Sequence, residues 1–106
     1  MVCIEKMRKL SFNSRNIVVT KHAKNRLFER SITISDVKHA IATGELIKQY
    51  EDDRPFPSCL LLAKIEQDRY IHVVASIDAS FVYIITAYQP NEVEWDADFK
   101  TRRKGC

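Results

Sequence analysis

This 106-residue chain has little of what breaks or staples a fold: two glycines, three prolines, three cysteines and one tryptophan. Cys3, Cys59 and Cys106 are odd in number, widely spaced and form no C-x-x-C pair. That pattern indicates neither a disulfide framework nor a zinc knuckle. No apolar run approaches the ~20 residues that a membrane span needs, and the first ten residues lack a secretory leader's apolar stretch. The expectation is a cytoplasmic protein with no membrane partner. Internal repeats and low-complexity segments are absent as well. The one dense acidic group, Glu51-Asp52-Asp53, consists of neighbours in sequence, whose side chains rarely converge on one ion, so neither a metal nor a cofactor is expected.

What is present is one domain's worth of residues, 1–106, with a basic tail from about residue 100. The formal charge is +3, unevenly spread. Residues 1–30 carry a balance of +6 and residues 31–90 a balance of −3. The last sixteen residues hold four acids followed by four bases, from Glu92 to Lys104. A basic front and a basic tail point to a phosphate-bearing partner, against the plainer reading of solvated charge that keeps a protein dispersed.

Residues 58–88 organise the rest. Three runs of eight or nine residues, rich in β-branched and aromatic side chains and split by short polar turns, predict an antiparallel meander. Residues 70–78 alternate cleanly, with Ile71, Val73, Ala75 and Ile77 on one face. Pairing Ile65 with Ile71, Cys59 with Ile77, Ile77 with Val82 and Val73 with Thr86 makes that face almost wholly apolar. The other face carries Leu60, Leu62, Lys64, His72, Val74, Tyr83, Ile85 and Ala87. It is too apolar for plain solvent and too polar for a core. It reads either as a working surface or as a face covered by a terminal segment or a second copy.

Helices precede the sheet. Residues 4–10 place Ile4, Met7 and Leu10 one turn apart. Residues 17–19 form a short edge strand or an approach to the next helix. Thr20 reads as an N-cap to a helix over 21–30, with Ala23 and Leu27 inward and His22, Arg26 and Arg30 on one stripe. Thr33 with Asp36 forms a capping box for a second helix, and Gly44 is its C′ stop. Residues 46–50 make a first strand, and a loose helix is predicted over 92–100. The fold class is therefore α+β, with N-terminal helices on one face of a four-stranded antiparallel sheet.

The motifs T-K-H-A-K-N-R-L-F-E-R, D-V-K-H-A-I-A-T-G-E-L-I, D-D-R-P-F-P-S-C-L-L-L, H-V-V, Y-I-I-T-A-Y and a W-D-x-D-F-K tail resemble an uncharacterised bacterial family grouped with RelE-like toxins. The resemblance implies a RelE-like fold. It also implies the toxin of a toxin–antitoxin pair, an mRNA-cleaving enzyme that works on RNA, in some relatives on the ribosome. Its partner would be an antitoxin of zinc-finger or helix-turn-helix type. The family usually has Gly after E-R, where this chain has Ser31.

Metal-independent RNA cleavage needs a base for the 2′-hydroxyl, an acid for the leaving oxygen and cations for the phosphate. His22, in a first helical turn, suits the base, and Arg26 and Arg30 suit the phosphate. Against this, His22 reads as a helix-start residue bonded to a neighbour, and Arg30 as an ion-pair partner of Glu29 or of the acidic loop. Asp53 and Arg54 form a second catalytic cluster, or else Asp53 caps its turn and pairs with Arg26 or Arg54. His72 is the third catalytic candidate, paired with Lys64, or else a satisfied strand histidine. Lys21, Lys64, Tyr88, Lys100, Arg102 and Arg103 are candidate substrate contacts, with Tyr83 and Tyr88 able to stack a base. Trp95 reads as a packing anchor. The leading expectation is an endoribonuclease; the alternative is a RelE-like module that binds nucleic acid or protein without catalysis.

Overall fold

The structure, a computed structural model, describes residues 1–54, 56–91, 95 and 98–101. The meander is its centre. Strands β3 (Ser58–Ile65), β4 (Arg69–Ile77) and β5 (Val82–Tyr88) pair antiparallel in chain order, and β2 (Glu45–Tyr50) adds to β3. A further strand corrects the expected four. β1 (Ile17–Val19) lies parallel to β5, so among the described residues the sheet has five strands in the order β1-β5-β4-β3-β2 and is mixed rather than antiparallel. Three residues carry too little pattern to declare a strand; the distant partner Val82–Ile84 makes them one.

Register differs from expectation at both turns, with opposite consequences. Between β3 and β4 a 3-10 turn at Glu66–Asp68 sets Ile65 against Arg69, Ala63 against Ile71 and Cys59 against Ala75. This is a slip of two, so every side chain keeps its face. Between β4 and β5, Ile77 meets Val82 and Ala75 meets Ile84 as expected, but a bulge then intervenes. Beyond it Val73 meets Ala87 rather than Thr86, and His72 meets Tyr88. One extra residue swings the Thr86 hydroxyl out of the core and Ala87 into it. Ala87 therefore belongs to the apolar face and Tyr88 to the mixed one.

Among the described residues, three helices cover the apolar face: α1 (Ile4–Ser11), α2 (Lys21–Glu29) and α3 (Ile34–Thr43). Met7, Leu27, Val37, Ala40 and Ile41 pack against Cys59, Leu61, Ile71, Val73, Ala75, Val82 and Ile84 in one core. Each large aliphatic so buried contributes about 1.5–3 kcal/mol. Cys59 is a small buried hydrophobe whose thiol burial pushes up to a pKa of about 11. The caps fall where the sequence places them. The Thr20 hydroxyl accepts from Ala23 N at 3.1 Å, and Thr33 and Asp36 form a reciprocal capping box.

Two turn residues explain local choices. Ser31 has φ 56°, the left-handed conformation that glycine adopts without strain. Gly44 stops α3 as expected, but with extended backbone, φ −69° and ψ 162°, rather than in that conformation. Glycine is needed there for room, because a Cβ would sit 2.3 Å from the Ala40 carbonyl oxygen. The carbonyls at this helix end are taken by Arg8, which donates to Ile41 O at 3.0 Å and Gly44 O at 2.7 Å. The expected helix over 92–100 lies largely outside the described residues. Among those described, Asp98 accepts from the backbone of Lys100 and Thr101 in a turn.

Candidate functional site

The mixed face of the sheet has two halves. At one end, cross-strand neighbours Leu62, His72 and Tyr88 form a row. His72 is fully buried under residues from beyond the sheet: Trp95 stands edge-on to its ring at 4.5 Å, and Phe99 O lies 2.7 Å from Nε2. A carbonyl only accepts, so Nε2 carries the proton and Nδ1 faces the Tyr88 hydroxyl at 3.3 Å. Burial lowers the pKa of this ring, partly opposed by the bond to Phe99 O. The expected pairing of His72 with Lys64 is corrected by the register: Lys64 lies opposite Tyr70 and binds Asp68 at 2.9 Å. Lys100 reaches Glu45 at 3.0 Å, and Tyr70 and Phe99 rings meet at 5.5 Å. Thus the described residues near the C-terminus cover this half.

At the other end the row is Tyr50, Ser58, Ser76 and Tyr83. Its middle residues are small and buried; Ser58 is taken up by Asp53, and of the two only Ser76 borders an open space. A cavity of about 440 Å³ results, lined by Asp53, Arg54, Phe56, Ser76, Tyr83 and Ile85. The polar groups are held in place. The Ser76 hydroxyl donates to Pro57 O at 2.7 Å, and the Ser58 hydroxyl donates to Asp53 at 2.5 Å. The Tyr83 hydroxyl donates to Asp78, which also accepts from the backbone of Ser80 and Phe81. These bonds hold the Asp78 carboxyl below the ordinary carboxylate range and raise the Tyr83 phenol. Among the described residues, the guanidinium of Arg54 hydrogen-bonds only the Asp52 carbonyl, at 3.4 Å. Asp53 therefore pairs with neither Arg26 nor Arg54; a hydroxyl holds it.

On the helical side, Lys21, His22 and Arg26 are exposed on α2 while Ala23 and Leu27 on its other side are buried. His22 has no side-chain bond among the described residues. Arg26 meets Glu29 at 3.8 Å, an exposed contact of little worth. Arg30 takes neither ion-pair partner expected for it. It donates to Ala87 O at 2.8 Å and lies 3.2 Å from the Thr86 hydroxyl. β1 pairs only with Val82–Ile84, so this guanidinium covers a sheet edge that β1 leaves bare. Arg69 supports the turn beside it, donating to the carbonyls of Ser31 and Arg30. The described residues hold no group of three or more His, Cys, Asp or Glu placed to bind a metal.

A family model matches residues 19–89, from the end of β1 to the residue after β5. The chain belongs to the family of domain of unknown function DUF4258. No curated protein and no solved structure matches it. The DUF4258 span contains the exposed face of α2 and the whole lining of the cavity, whereas Trp95, Phe99 and Lys100, which cover the other half, lie beyond it.

Apart from Arg30 at the edge of β5 and Lys64 on Asp68, the described sequence candidates fall into three places. His22, Arg26 and Lys21 share an exposed helix face. Asp53 and Arg54 line a cavity whose wall includes none of those three, nor Arg30 or His72. His72, Tyr88 and Lys100 belong to the covered half. Arg102 and Arg103 lie outside the described residues. Phe56, Ser76 and Asp78 join the site without a strong sequence signal. The available signals were a phenylalanine between two prolines, unable to join a ladder, and a small serine amid large strand residues.

No helix among the described residues is long and apolar enough to cross a membrane.

Proposed function

We propose that the protein is a RelE-like domain acting on RNA, a metal-independent endoribonuclease of a toxin–antitoxin pair that works from the exposed face of α2. One observation carries this reading. A histidine with no side-chain bond among the described residues stands in the first turn of a basic helix whose opposite side is anchored in the core. In this reading His22 takes the proton of a ribose 2′-hydroxyl. The 2′-oxygen bonds to phosphorus, the bond to the 5′-oxygen breaks, and water protonates the leaving oxygen. The products are a 2′,3′-cyclic phosphate and a 5′-hydroxyl. Lys21 and Arg26 offset charge on the phosphate, and an antitoxin neutralises the enzyme in the cell. Base help of this kind is worth roughly 10²–10⁴-fold in rate.

A second reading, a RelE-like module that binds RNA without cleaving it, draws support from the dispersal of the other candidates. Arg30 is spent on the edge of β5, His72 is sealed, and Asp53 and Arg54 line a separate cavity. The variant His22→Ala separates the two. His22 is exposed, so the variant is expected to fold. Loss of RNA cleavage and of growth arrest on unpartnered expression supports catalysis. RNA bound equally by both proteins, with cleavage by neither, favours the module.

A further inference from the structure

The cavity on the mixed sheet face has a shape and a chemistry that the α2 reading leaves unused. We propose that it binds one nucleotide, the base stacked against Phe56 and Tyr83 and the phosphate held by Arg54. The inference rests on the RNA reading for the source of the nucleotide, a single-stranded segment of the same substrate.

Four features support this ligand. The cavity's volume, about 440 Å³, lies within the range of small-molecule sites. Its aromatic rings are nearly parallel, at an interplanar angle of 17° with centroids 6.2 Å apart, and Phe56 is 41% exposed. The bond to Asp78 holds the Tyr83 ring in place before any ligand arrives. Aromatic platforms of this kind take any base, because every base has a π-face.

The floor fits a flat group. Ser76 is the smallest residue lining the cavity, and its hydroxyl is turned to Pro57 O, so a ligand above it leaves no donor unsatisfied. The rim supplies both polar ends of a nucleotide. Asp53 has one carboxylate oxygen on Ser58; the other has no partner among the described residues and can accept from an amino or imino group of a base. Arg54 forms no ion pair among the described residues, so its guanidinium is available to phosphate. A purely apolar ligand would leave both charges idle, and a free phosphate would leave the rings idle.

The test titrates the full chain, by fluorescence anisotropy or NMR shifts, with a single-stranded hexaribonucleotide, with each of the four 5′-ribonucleotides and with ribose 5-phosphate. At least one mononucleotide and the hexamer are expected to saturate, and ribose 5-phosphate at the same concentration is not. Phe56→Ala should weaken both by about tenfold or more. Arg54→Gln should weaken both and lower the salt dependence of hexamer binding by about one charge. His22→Ala should leave mononucleotide binding unchanged. Mononucleotide binding without hexamer binding would keep the pocket and remove RNA as its source. Hexamer binding lost in Lys21→Ala and Arg26→Ala but untouched in Phe56→Ala would leave the α2 reading standing and overturn this one. So would absence of any nucleotide binding, or a Phe56→Ala protein that merely turns from dimer to monomer.

Discussion

The two halves of the mixed sheet face come from the same strands and follow the same alternation, yet one is closed and the other open. Where the row reads Leu62, His72 and Tyr88, large side chains are roofed by Trp95 and Phe99. Where it reads Ser58, Ser76 and Tyr83, the small Ser76 and the Tyr83 ring border a cavity. The closed half has its polar atoms answered within the protein: His72 bonds on both ring nitrogens. The open half keeps two groups with spare capacity, Asp53 and Arg54. The lesson is that an alternating strand tells which residues share a face, while side-chain size along the row decides whether that face becomes core or site.

Substitutions should separate the halves by the size of their effect on stability. The largest is expected for Trp95→Ala, which removes a ring buried against His72 and should cost about 3–5 kcal/mol in urea unfolding. A cost below ~1 kcal/mol would mean that the roof is not part of the folded core.

The pH dependence comes next. Burial keeps the folded-state pKa of His72 below the ordinary 6.5. As the pH falls, the unfolded chain takes up this proton first. The contribution is therefore fully present above about 6.5 and lost as the pH drops toward the lower folded value. Urea midpoints of the wild type should fall across that interval, and His72→Gln should flatten the dependence. Asp78 and Asp98, whose pKa values lie below the ordinary carboxylate value, titrate at lower pH and do not obscure it. An unchanged profile in the variant would contradict a neutral, sealed ring.

Lys100→Ala tests whether charge rather than packing holds the roof down. Its pair with Glu45 is half exposed, so the loss should be small beside that of Trp95→Ala and should shrink further in high salt. The smallest effect is expected in the open half. Phe56→Ala should change stability by no more than about 0.5 kcal/mol while weakening nucleotide binding. A loss of several kcal/mol there would show the cavity wall to be structural and erase the contrast between the halves.

Much of this architecture was legible in advance. Thr20 and Thr33 cap helices as read, because a hydroxyl reaches a backbone N–H two or three residues on whatever the rest of the chain does. Ala23 and Leu27 point inward as their spacing required. Even the mispaired first turn did no harm, since a slip of two preserves faces. The bulge near Ile85 was not legible: nothing in Tyr-Ile-Ile-Thr-Ala-Tyr marks where an extra residue enters, and only Val74 and Ala75 on the neighbouring strand reveal it. The partners of Arg30 were missed for a similar reason. Its carbonyl acceptor on Ala87 is bare only because β1 stops after three residues.

The helix caps, the two faces of α2 and the apolar side of the meander follow from local order along the chain, because capping and the 3.6- and 2-residue periods are set by sequence neighbours. The tertiary structure alone decided that a fifth strand joins in parallel, that His72 is sealed and that Asp53 and Arg54 face a hollow with Phe56 and Tyr83. These depend on which distant segments meet, and on whether the side chains between them are large enough to leave no space.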